Sequence, residues 1–272
     1  PGGINLDTTI DTLTANTSAG NGNITINETS GLALNLVDAG TGDVDITLAG
    51  ALTSNTGTGI TANDLTITGD GAIDINTNVD TLQASTNDAN ITVNETSGLA
   101  LKLVDAGTGD VTLTAGGAIT DGNEVNVNII GNDLVLTAVS GIGSGNALET
   151  KVDTLQATNT NNGIEIINTG ALALNNTTPL GHSVQNTNGL VNIKTTSPLN
   201  VNANVNAGGD ITLIAGEISD APTYADDIGV NANITSTGGN IYLYAGDDII
   251  QSTGTWIQTQ TTGKTVTLTA SY

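Results

Sequence analysis

The sequence predicts an all-β fold, a parallel β-helix (β-solenoid) of about a dozen coils. The first observation is a repeated stretch, INETSGLALNLVDAGTGDV at residues 26–44, which returns at residues 93–111 with only two positions changed. The second is that Gly, Asn, Thr and Asp fill most other positions, which gives many turn residues and few helix-like stretches. The third is that strand-like runs restart about every twenty residues, as at Ile24, Val44 and Leu65.

The two changed positions of the repeated stretch indicate which side chains point inward. Ile26 becomes Val93, which keeps a β-branched apolar side chain, whereas Asn35 becomes Lys102 between two leucines. Alternate residues of a strand face opposite sides, so we expect the leucines inside and the residues between them outside. The expected inner residues are Leu32, Leu34 and Leu36, and the expected outer ones are Ala33 and Asn35.

A longer repeat divides the chain. The motif DTLTA at Asp11 returns as DTLQA at Asp80 and again at Asp153. The predicted segment is a single β-helix over residues 1–272, with super-repeats at residues 11–79 and 80–152 and a divergent part at residues 153–272. We expect about three coils in each super-repeat, stacked about 4.8 Å apart. The super-repeats are too short, and too poor in Trp and Tyr, for an immunoglobulin-like sandwich.

Composition and charge exclude several classes of partner. Four Lys or Arg residues against 27 acidic ones give a net charge of −23, which argues against nucleic acid or an anionic membrane. The absence of Cys excludes disulfides and thiolate metal sites. No apolar run is long enough to insert into a membrane. The chain has no Met and opens with Pro1, so we expect it to be an internal piece of a longer protein.

Several phrases carry a family resemblance. They are GDVTLTAGGAI from Gly109, GDITLIAGEI from Gly209, GNIYLYAGDDI from Gly239 and the linker SGIGSGNALETKVDTLQATN from Ser140. These phrases resemble the repeats of filamentous haemagglutinin-type exoproteins, which are giant bacterial surface and secreted adhesins. The resemblance covers most of the chain. It implies a right-handed parallel β-helix that serves as a long shaft, outside the cell or on the cell surface of a bacterium.

The predicted function is therefore that of a structural shaft in a large bacterial surface or secreted adhesin, or in a biofilm matrix protein. Each end of a solenoid segment has an unpaired edge. The expected partners are neighbouring β-helix segments of the same giant chain, or other copies joined end to end into fibres. A further expected partner is a glycan or protein of a host or bacterial surface. The alternative function is that of a carbohydrate-binding or carbohydrate-active β-helix protein.

No catalytic residue is predicted, and the chain is not expected to be an enzyme. β-Helix enzymes that cleave polysaccharides use clustered carboxylates together with Arg or Lys, and this chain has no Arg. Its single histidine, His182, lies in a polar stretch and is interpreted as a loop residue. The pairs Asp226-Asp227 and Asp247-Asp248 follow it in the chain, and no nucleophile-elbow motif surrounds any Ser.

The only cofactor considered is calcium. The phrase DAGTGD occurs twice and places carboxylates around a glycine-rich turn, and Ca²⁺ prefers hard oxygen ligands of this kind. The candidate metal ligands are Asp38, Asp43, Asp105 and Asp110. The phrase lacks the acidic spacing of an EF-hand and the nonapeptide of calcium-binding β-rolls. The alternative is a corner turn in which Asp accepts backbone N–H groups and Gly supplies a positive φ.

The aromatic residues predict a contact surface. All of them, one Trp and four Tyr, fall in the last fifth of the chain. If Ile241 and Leu243 point inward, the tyrosines between and after them stand side by side outside, where exposed rings often bind sugar or protein. The candidate contact residues are Tyr224, Tyr242, Tyr244 and Trp256. The alternative is that these rings cover a local loop or pack against a neighbouring domain.

The many Asn and Thr residues are interpreted as structural. Triplets such as Thr112-Leu113-Thr114 resemble the Thr ladders of ice-binding solenoids, but irregular coil lengths do not place Thr in register on every coil. Asn residues stacked in register, inside or at corners, can instead form amide ladders between coils.

Overall fold

The computed structural model describes residues 2–55, 57, 59–216 and 226–270. The described residues form β-strands joined by turns, and the strands pair in parallel. The chain divides into two compact units, Pro1–Asn132 and Asp133–Tyr272. Each unit consists of stacked coils, and the two contain about 12 turns of β-solenoid between them. The predicted all-β solenoid is therefore confirmed.

The strands of the first unit are short and follow one another closely. They are β1 (Ile4–Thr8), β2 (Thr12–Asn16), β3 (Ile24–Glu28), β4 (Leu32–Asp38), β5 (Val44–Leu48), β6 (Leu52–Ser54), β7 (Ile60–Gly69), β8 (Ile73–Ser85), β9 (Ile91–Glu95), β10 (Leu99–Asp105), β11 (Val111–Ala115), β12 (Ile119–Asp121) and β13 (Ile129–Ile130). Residues that stack on one another in β1, β3 and β5 are 20 positions apart in the sequence. The coil length expected from the sequence is confirmed for these coils.

The core of the first unit is a column of aliphatic side chains. Ile24, Val44 and Leu65 lie one above another, and each is at most 1% exposed. The alternating residues point outward and are polar. Burying each such side chain contributes about 1.5–3 kcal/mol, and because the coils repeat, the same contribution recurs at every turn.

A β-bulge changes the expected alternation in the repeated stretch. Asn35 and Lys102 are each skipped in the register between their strand and the preceding coil. An extra residue in one strand moves the following side chains to the other face. Leu36 is therefore half-buried, and Val37 is completely buried in its place. The prediction that Leu36 lies inside is wrong for this reason, whereas Leu32 and Leu34 are buried and Ala33 and Asn35 point outward as expected.

The second copy of the repeated stretch lies one column away from the first. The column of Ile26 continues through Ile46, Ile67 and Ala84. The third turn after Ile26 therefore ends at Ala84. Val93, the copy of Ile26, pairs instead with Ile75 in the next column. One interval of the repeat thus contains three turns and one further strand. The two DAGTGD phrases consequently lie at different corners of the solenoid.

The second unit has longer loops and more regular columns. Its strands are β14 (Asp133–Ala138), β15 (Leu148–Lys151), β16 (Thr154–Asn159), β17 (Ile164–Asn168), β18 (Leu172–Leu174), β19 (Val184–Asn186), β20 (Val191–Thr195), β21 (Leu199–Val201), β22 (Val205–Ala207), β23 (Ile211–Ala215), β24 (Ile228–Val230), β25 (Ile234–Ser236), β26 (Ile241–Ala245), β27 (Ile249–Gln251), β28 (Ile257–Thr259) and β29 (Val266–Thr269). Residues stacked on successive coils are separated in the sequence by 27 positions at one place and by 30 at another, because the corners contain insertions.

Three columns of parallel strands build the second unit. The first column is β15, β17, β20, β23, β26 and β29. The second is β18, β21, β24 and β27, and the third is β19, β22, β25 and β28. The strands before β27 turn alternate side chains into a core made mostly of Val, Ile, Leu and Ala. The first column positions the tyrosines described below.

Amide ladders stabilise the corners of the second unit. At an exposed corner, the side-chain amide of Asn202 donates to Asn175 Oδ1 and that of Asn231 donates to Asn202 Oδ1, each over 3.0 Å. Inside the unit, Asn159 Nδ2 donates to Asn186 Oδ1 over 3.2 Å, and both residues are at most 1% exposed. The expected stacking of asparagines between coils is therefore confirmed at these positions.

Candidate functional site

The first aspartate of each DAGTGD phrase closes a tight corner. Gly40 and Gly107 have φ angles of 62° and 59°, a conformation that glycine adopts without strain. Their backbone N–H groups donate to Asp38 Oδ1 over 3.0 Å and to Asp105 Oδ1 over 2.9 Å. These are local side-chain turns of the kind that Asp favours. The corner-turn interpretation of Asp38 and Asp105 is therefore confirmed.

The last aspartate of each phrase belongs to a ladder between coils. Asp43 accepts hydrogen bonds from the side-chain amides of Asn23 and Asn63, over 3.3 and 3.4 Å. The side-chain amide of Asn132 donates to Asp110 Oδ1 over 3.1 Å. The carboxylates thus already accept hydrogen bonds from neighbouring coils.

These four aspartates do not form a ready-made calcium site. Ca²⁺ takes six to eight oxygen ligands, whereas no group of three or more His, Asp or Glu side chains in the described ranges could hold a metal ion. The two phrases also lie at different corners. Calcium binding by Asp38, Asp43, Asp105 and Asp110 stays a prediction, and the observed geometry favours the structural role.

A buried glutamate ends the strand at the start of each copy of the repeated stretch, and sequence reasoning did not single it out. Glu95 is 4% exposed. Its carboxylate accepts hydrogen bonds from Thr77 Oγ1 and from the backbone N–H of Val79, over 2.8 and 2.9 Å. It also accepts bonds from the backbone N–H and the hydroxyl of Ser97, over 2.7 and 2.8 Å. The carboxylate therefore joins its own corner to the preceding coil.

The same arrangement of hydrogen-bond donors surrounds the carboxylate of Glu28. Its carboxylate accepts from Thr8 Oγ1 over 2.8 Å, from the backbone N–H of Ile10 over 3.0 Å, and from the N–H and hydroxyl of Ser30. In the divergent part Asn168 takes this position and accepts from Thr150 and Val152. The signal in the sequence was the phrase NETSG, which is present in both copies.

We expect the stability supplied by Glu28 to depend on pH. Burial acts to raise the pKa of this carboxyl, but the hydrogen bonds from Ser30, Thr8 and Ile10 outweigh it, so the pKa is lowered. A lowered folded-state pKa means that the contribution is complete above the unfolded value of about 4.3 and is lost as the pH falls through the folded value. The Glu28→Gln variant should therefore lose stability at pH 7, and lose progressively less as the pH falls from about 4.3 to 3. Denaturant titrations at both pH values test this, and equal losses would contradict it.

The single histidine lies in an ordered loop that is organised by a buried glutamine. Gln156 is completely buried, and its side-chain amide donates to the backbone carbonyls of Thr178 and His182, each over 3.0 Å. His182 Nε2 lies 3.1 Å from Thr158 Oγ1. Burial lowers the pKa of His182, although a hydrogen bond to the backbone of Leu180 opposes this. The loop placement of His182 expected from the sequence is confirmed.

The two aspartate pairs stack on consecutive coils. The backbone N–H of Asp226 donates to Asp247 Oδ2 over 3.1 Å, and that of Asp248 donates to Asp227 Oδ1 over 2.9 Å. They precede β24 and β27, whereas His182 precedes β19. The structure therefore places these aspartates at a different corner from the histidine. The expectation that the chain has no enzymatic activity stays a prediction.

The described aromatic residues do not all come together. Ile241 and Leu243 are completely buried, and Tyr242 and Tyr244 point outward with ring centroids 6.4 Å apart and ring planes 6° from parallel. Trp256 is 49% exposed but precedes β28, in another column. Tyr224 lies outside the described residues, as does Tyr272. The predicted contact surface is thus reduced to the tyrosine pair, with Trp256 separate.

The outward side chains of the first column of the second unit, which carries the two tyrosines, differ from those of the first unit. We define the tyrosine face as the outward residues of β17, β20, β23, β26 and β29, which are Glu165, Ile167, Asn192, Lys194, Thr212, Ile214, Tyr242, Tyr244, Thr267 and Thr269. The corresponding outward residues of β3, β5, β9 and β11 are all polar, namely Thr25, Asn27, Asp45, Thr47, Thr92, Asn94, Thr112 and Thr114. In contrast to these four described strands, the tyrosine face combines aliphatic, aromatic and basic side chains.

No helix formed by the described residues is long and apolar enough to cross a membrane. Comparison of the chain with known protein families, with curated proteins and with solved structures finds no match in any of the three.

Proposed function

We propose that this chain is a structural shaft of a large bacterial surface or secreted adhesin, or of a matrix protein. The observation that carries the proposal is the stacking of parallel strands within each unit over columns of buried aliphatic side chains, throughout the part of the chain that the structure describes. Parallel ladders and amide ladders along the stacking direction resist extension and bending. Such an arrangement suits a mechanical role more than a catalytic one.

The proposed setting is extracellular, and it rests on the likeness of the repeated phrases to filamentous haemagglutinin-type exoproteins. The net charge of −23 supports the shaft itself, because like-charged outer faces discourage sideways association. The proposed partners are neighbouring β-helix segments of the same giant chain, or other copies joined end to end. Leu6 and Leu268, at core positions of the first and last described coils, are 45% and 50% exposed and would be covered by such a neighbour.

Small-angle X-ray scattering of the full chain tests the proposed shaft. We expect a pair-distance distribution with a short cross-section peak and a long tail, as for an extended particle. Electron microscopy of concentrated samples tests the end-to-end partners, with Leu268→Asp as the disrupting variant and Thr267→Asp as its control. A compact, isotropic scattering profile would rule out the shaft, and fibres that are unaffected by Leu268→Asp would rule out this contact.

A carbohydrate-binding or carbohydrate-active protein is the second candidate. It is favoured by one observation, the outward tyrosine pair, because parallel aromatic rings can stack on sugar rings. Its test is calorimetric titration with neutral oligosaccharides, comparing the wild type with Tyr242→Ala. Loss of a measured affinity in the variant would support this candidate, and no heat in the wild type would remove it.

A further inference from the structure

A loop over the outer side of β16 is attached there by one buried side chain. Residues 175–183, which we call the histidine loop, join β18 to β19. Gln156 is completely buried, and its Oε1 accepts hydrogen bonds from the backbone N–H and the hydroxyl of Thr178, over 2.7 and 2.8 Å. Asn176 Oδ1 accepts from two backbone N–H groups of the loop, each over 3.1 Å. The histidine loop is thus ordered by hydrogen bonds between uncharged groups.

The ring of His182 lies on the same side of β16. Its Nε2 is 3.1 Å from Thr158 Oγ1, and a neutral ring nitrogen can accept a hydrogen bond from that hydroxyl. Burial lowers the pKa of His182, and a hydrogen bond with the backbone of Leu180 opposes this effect without cancelling it. The closed loop therefore fits the neutral form of the ring better than the charged form.

No charged side chain faces the ring from the elements packed around it. The histidine loop, β16, β19, β22 and the corner before β22 contain no Asp, Glu, Lys or Arg. The residues stacked on Thr158 in the neighbouring coils are Thr137 and Gln185. The only charged residue of β14 is Asp133, four positions from Thr137 and so about 13 Å away along the strand, and Asp153 lies still farther from Thr158. Charges this far apart are largely screened at physiological salt, so a protonated ring has no carboxylate beside it.

We propose that the histidine loop is a pH-sensitive element, which is closed when His182 is neutral and loosens when His182 is protonated. A proton on Nε2 turns this atom from an acceptor into a donor, so the hydrogen bond with Thr158 has to reverse. The new positive charge is partly buried and uncompensated, which favours a conformation that exposes the ring to water. Loosening uncovers Gln156, while β16 stays in place through its backbone pairing with β14 and β19.

The expected pH window follows from the direction of the pKa shift. The pKa of an unfolded histidine is about 6.5, and that of His182 in the closed loop is lower. The stability that the neutral ring gives to the loop is therefore complete above about pH 6.5 and is lost as the pH falls through the folded value. Carboxyl groups ordinarily titrate near pH 4, so the window lies above the one expected for Glu28.

Nuclear magnetic resonance and hydrogen exchange of the full chain test the proposal. The chain has one histidine, so its imidazole signals report the protonation of His182 directly, and they should titrate below pH 6.5. The backbone N–H groups of Thr178 and Leu180 donate within the closed loop. Their protection, corrected for intrinsic exchange, should fall about threefold or more between pH 7.5 and 5.0, with the same midpoint as the imidazole signals. The amides of β16 and β19 should keep their protection.

Two variants separate the histidine from other effects of pH. His182→Asn carries a neutral side chain at both pH values, so the protection of its loop amides should not change with pH. Thr177→Asn alters an exposed residue of the same loop and should keep the pH dependence of the wild type.

Several results would overturn the pH-sensitive loop. One is a wild type whose loop amides are equally protected at pH 7.5 and 5.0, and another is a His182→Asn variant with the same pH dependence as the wild type. A midpoint near pH 4 would assign the change to carboxyl groups instead. Loss of protection in β16 and β19 together with the loop would show that the stacked strands open and that the loop does not act separately.

Discussion

Replacing Gly189 by Ala is expected to destabilise the second unit by about 3 kcal/mol or more. An added Cβ would lie 1.4 Å from the carbonyl oxygen of Asn162 and 2.7 Å from Asn186 Nδ2. The first of these neighbours is backbone of the preceding coil, so no side-chain rotation relieves the clash. The glycine is needed because coils stacked about 4.8 Å apart leave no room for a side chain at this corner.

The local hydrogen bonds prevent the corner from moving away. The backbone N–H of Gly209 donates to the carbonyl of Gly189 over 2.9 Å, and the side-chain amide of Asn186 donates to the carbonyls of Asn162 and Leu190, each over 2.7 Å. A shift of Gly189 would therefore break contacts with coils on both sides. The loss should appear in the coils around β17 and β20, since each coil contacts only its neighbours.

Hydrogen exchange measured by mass spectrometry, together with denaturant titration, checks this result. The amides of β17 and β20 should exchange faster in Gly189→Ala than in the wild type. Gly98→Ala is the control, because its Cβ would lie 3.4 Å from the nearest atom, an ordinary contact, and it should cost less than about 1 kcal/mol. Equal effects of the two substitutions would show that the coil spacing at Gly189 is not limiting.

The solenoid was predictable because its causes are periodic. The near-identical stretches at residues 26–44 and 93–111, and the alternation of apolar and polar residues, predict stacked strands with one buried side. The outward placement of Asn35 followed from its exchange for Lys in the second copy. The direction of Tyr242 and Tyr244 followed from the buried Ile241 and Leu243.

Features that depend on contacts between coils were not predictable from one sequence. The bulge at Asn35 depends on how β4 lies over β2, which the alternation within β4 does not reveal. The tyrosine face required the register of five strands to place Lys194 in line with Tyr244. The hydrogen bonds to Glu95 use donors from the preceding coil. The number of residues between stacked positions varies along the chain, so the sequence does not identify these donors.

Replacing Glu95 by Ala is expected to cost about 3–4 kcal/mol in the free energy of unfolding of the first unit. The variant removes the acceptor for the hydroxyl of Thr77, which is completely buried, and for the backbone N–H groups of Val79 and Ser97. Each buried donor left without an acceptor costs about 1–3 kcal/mol. The total is less than the sum of these costs, because water can enter part of the space left by the side chain.

Two further variants separate the lost acceptor from the lost side chain. Glu95→Gln keeps one acceptor oxygen but turns an amide donor toward the remaining donors. Its loss of unfolding free energy should therefore be measurable but smaller than that of Glu95→Ala. Asn94→Ala alters the adjacent exposed residue and should stay within about 0.5 kcal/mol of the wild type. Denaturant titration followed by circular dichroism ranks the three variants. If Glu95→Ala is no less stable than Asn94→Ala, the buried carboxylate does not join the coils. The NETSG motif shared by the two copies would then need another physical cause.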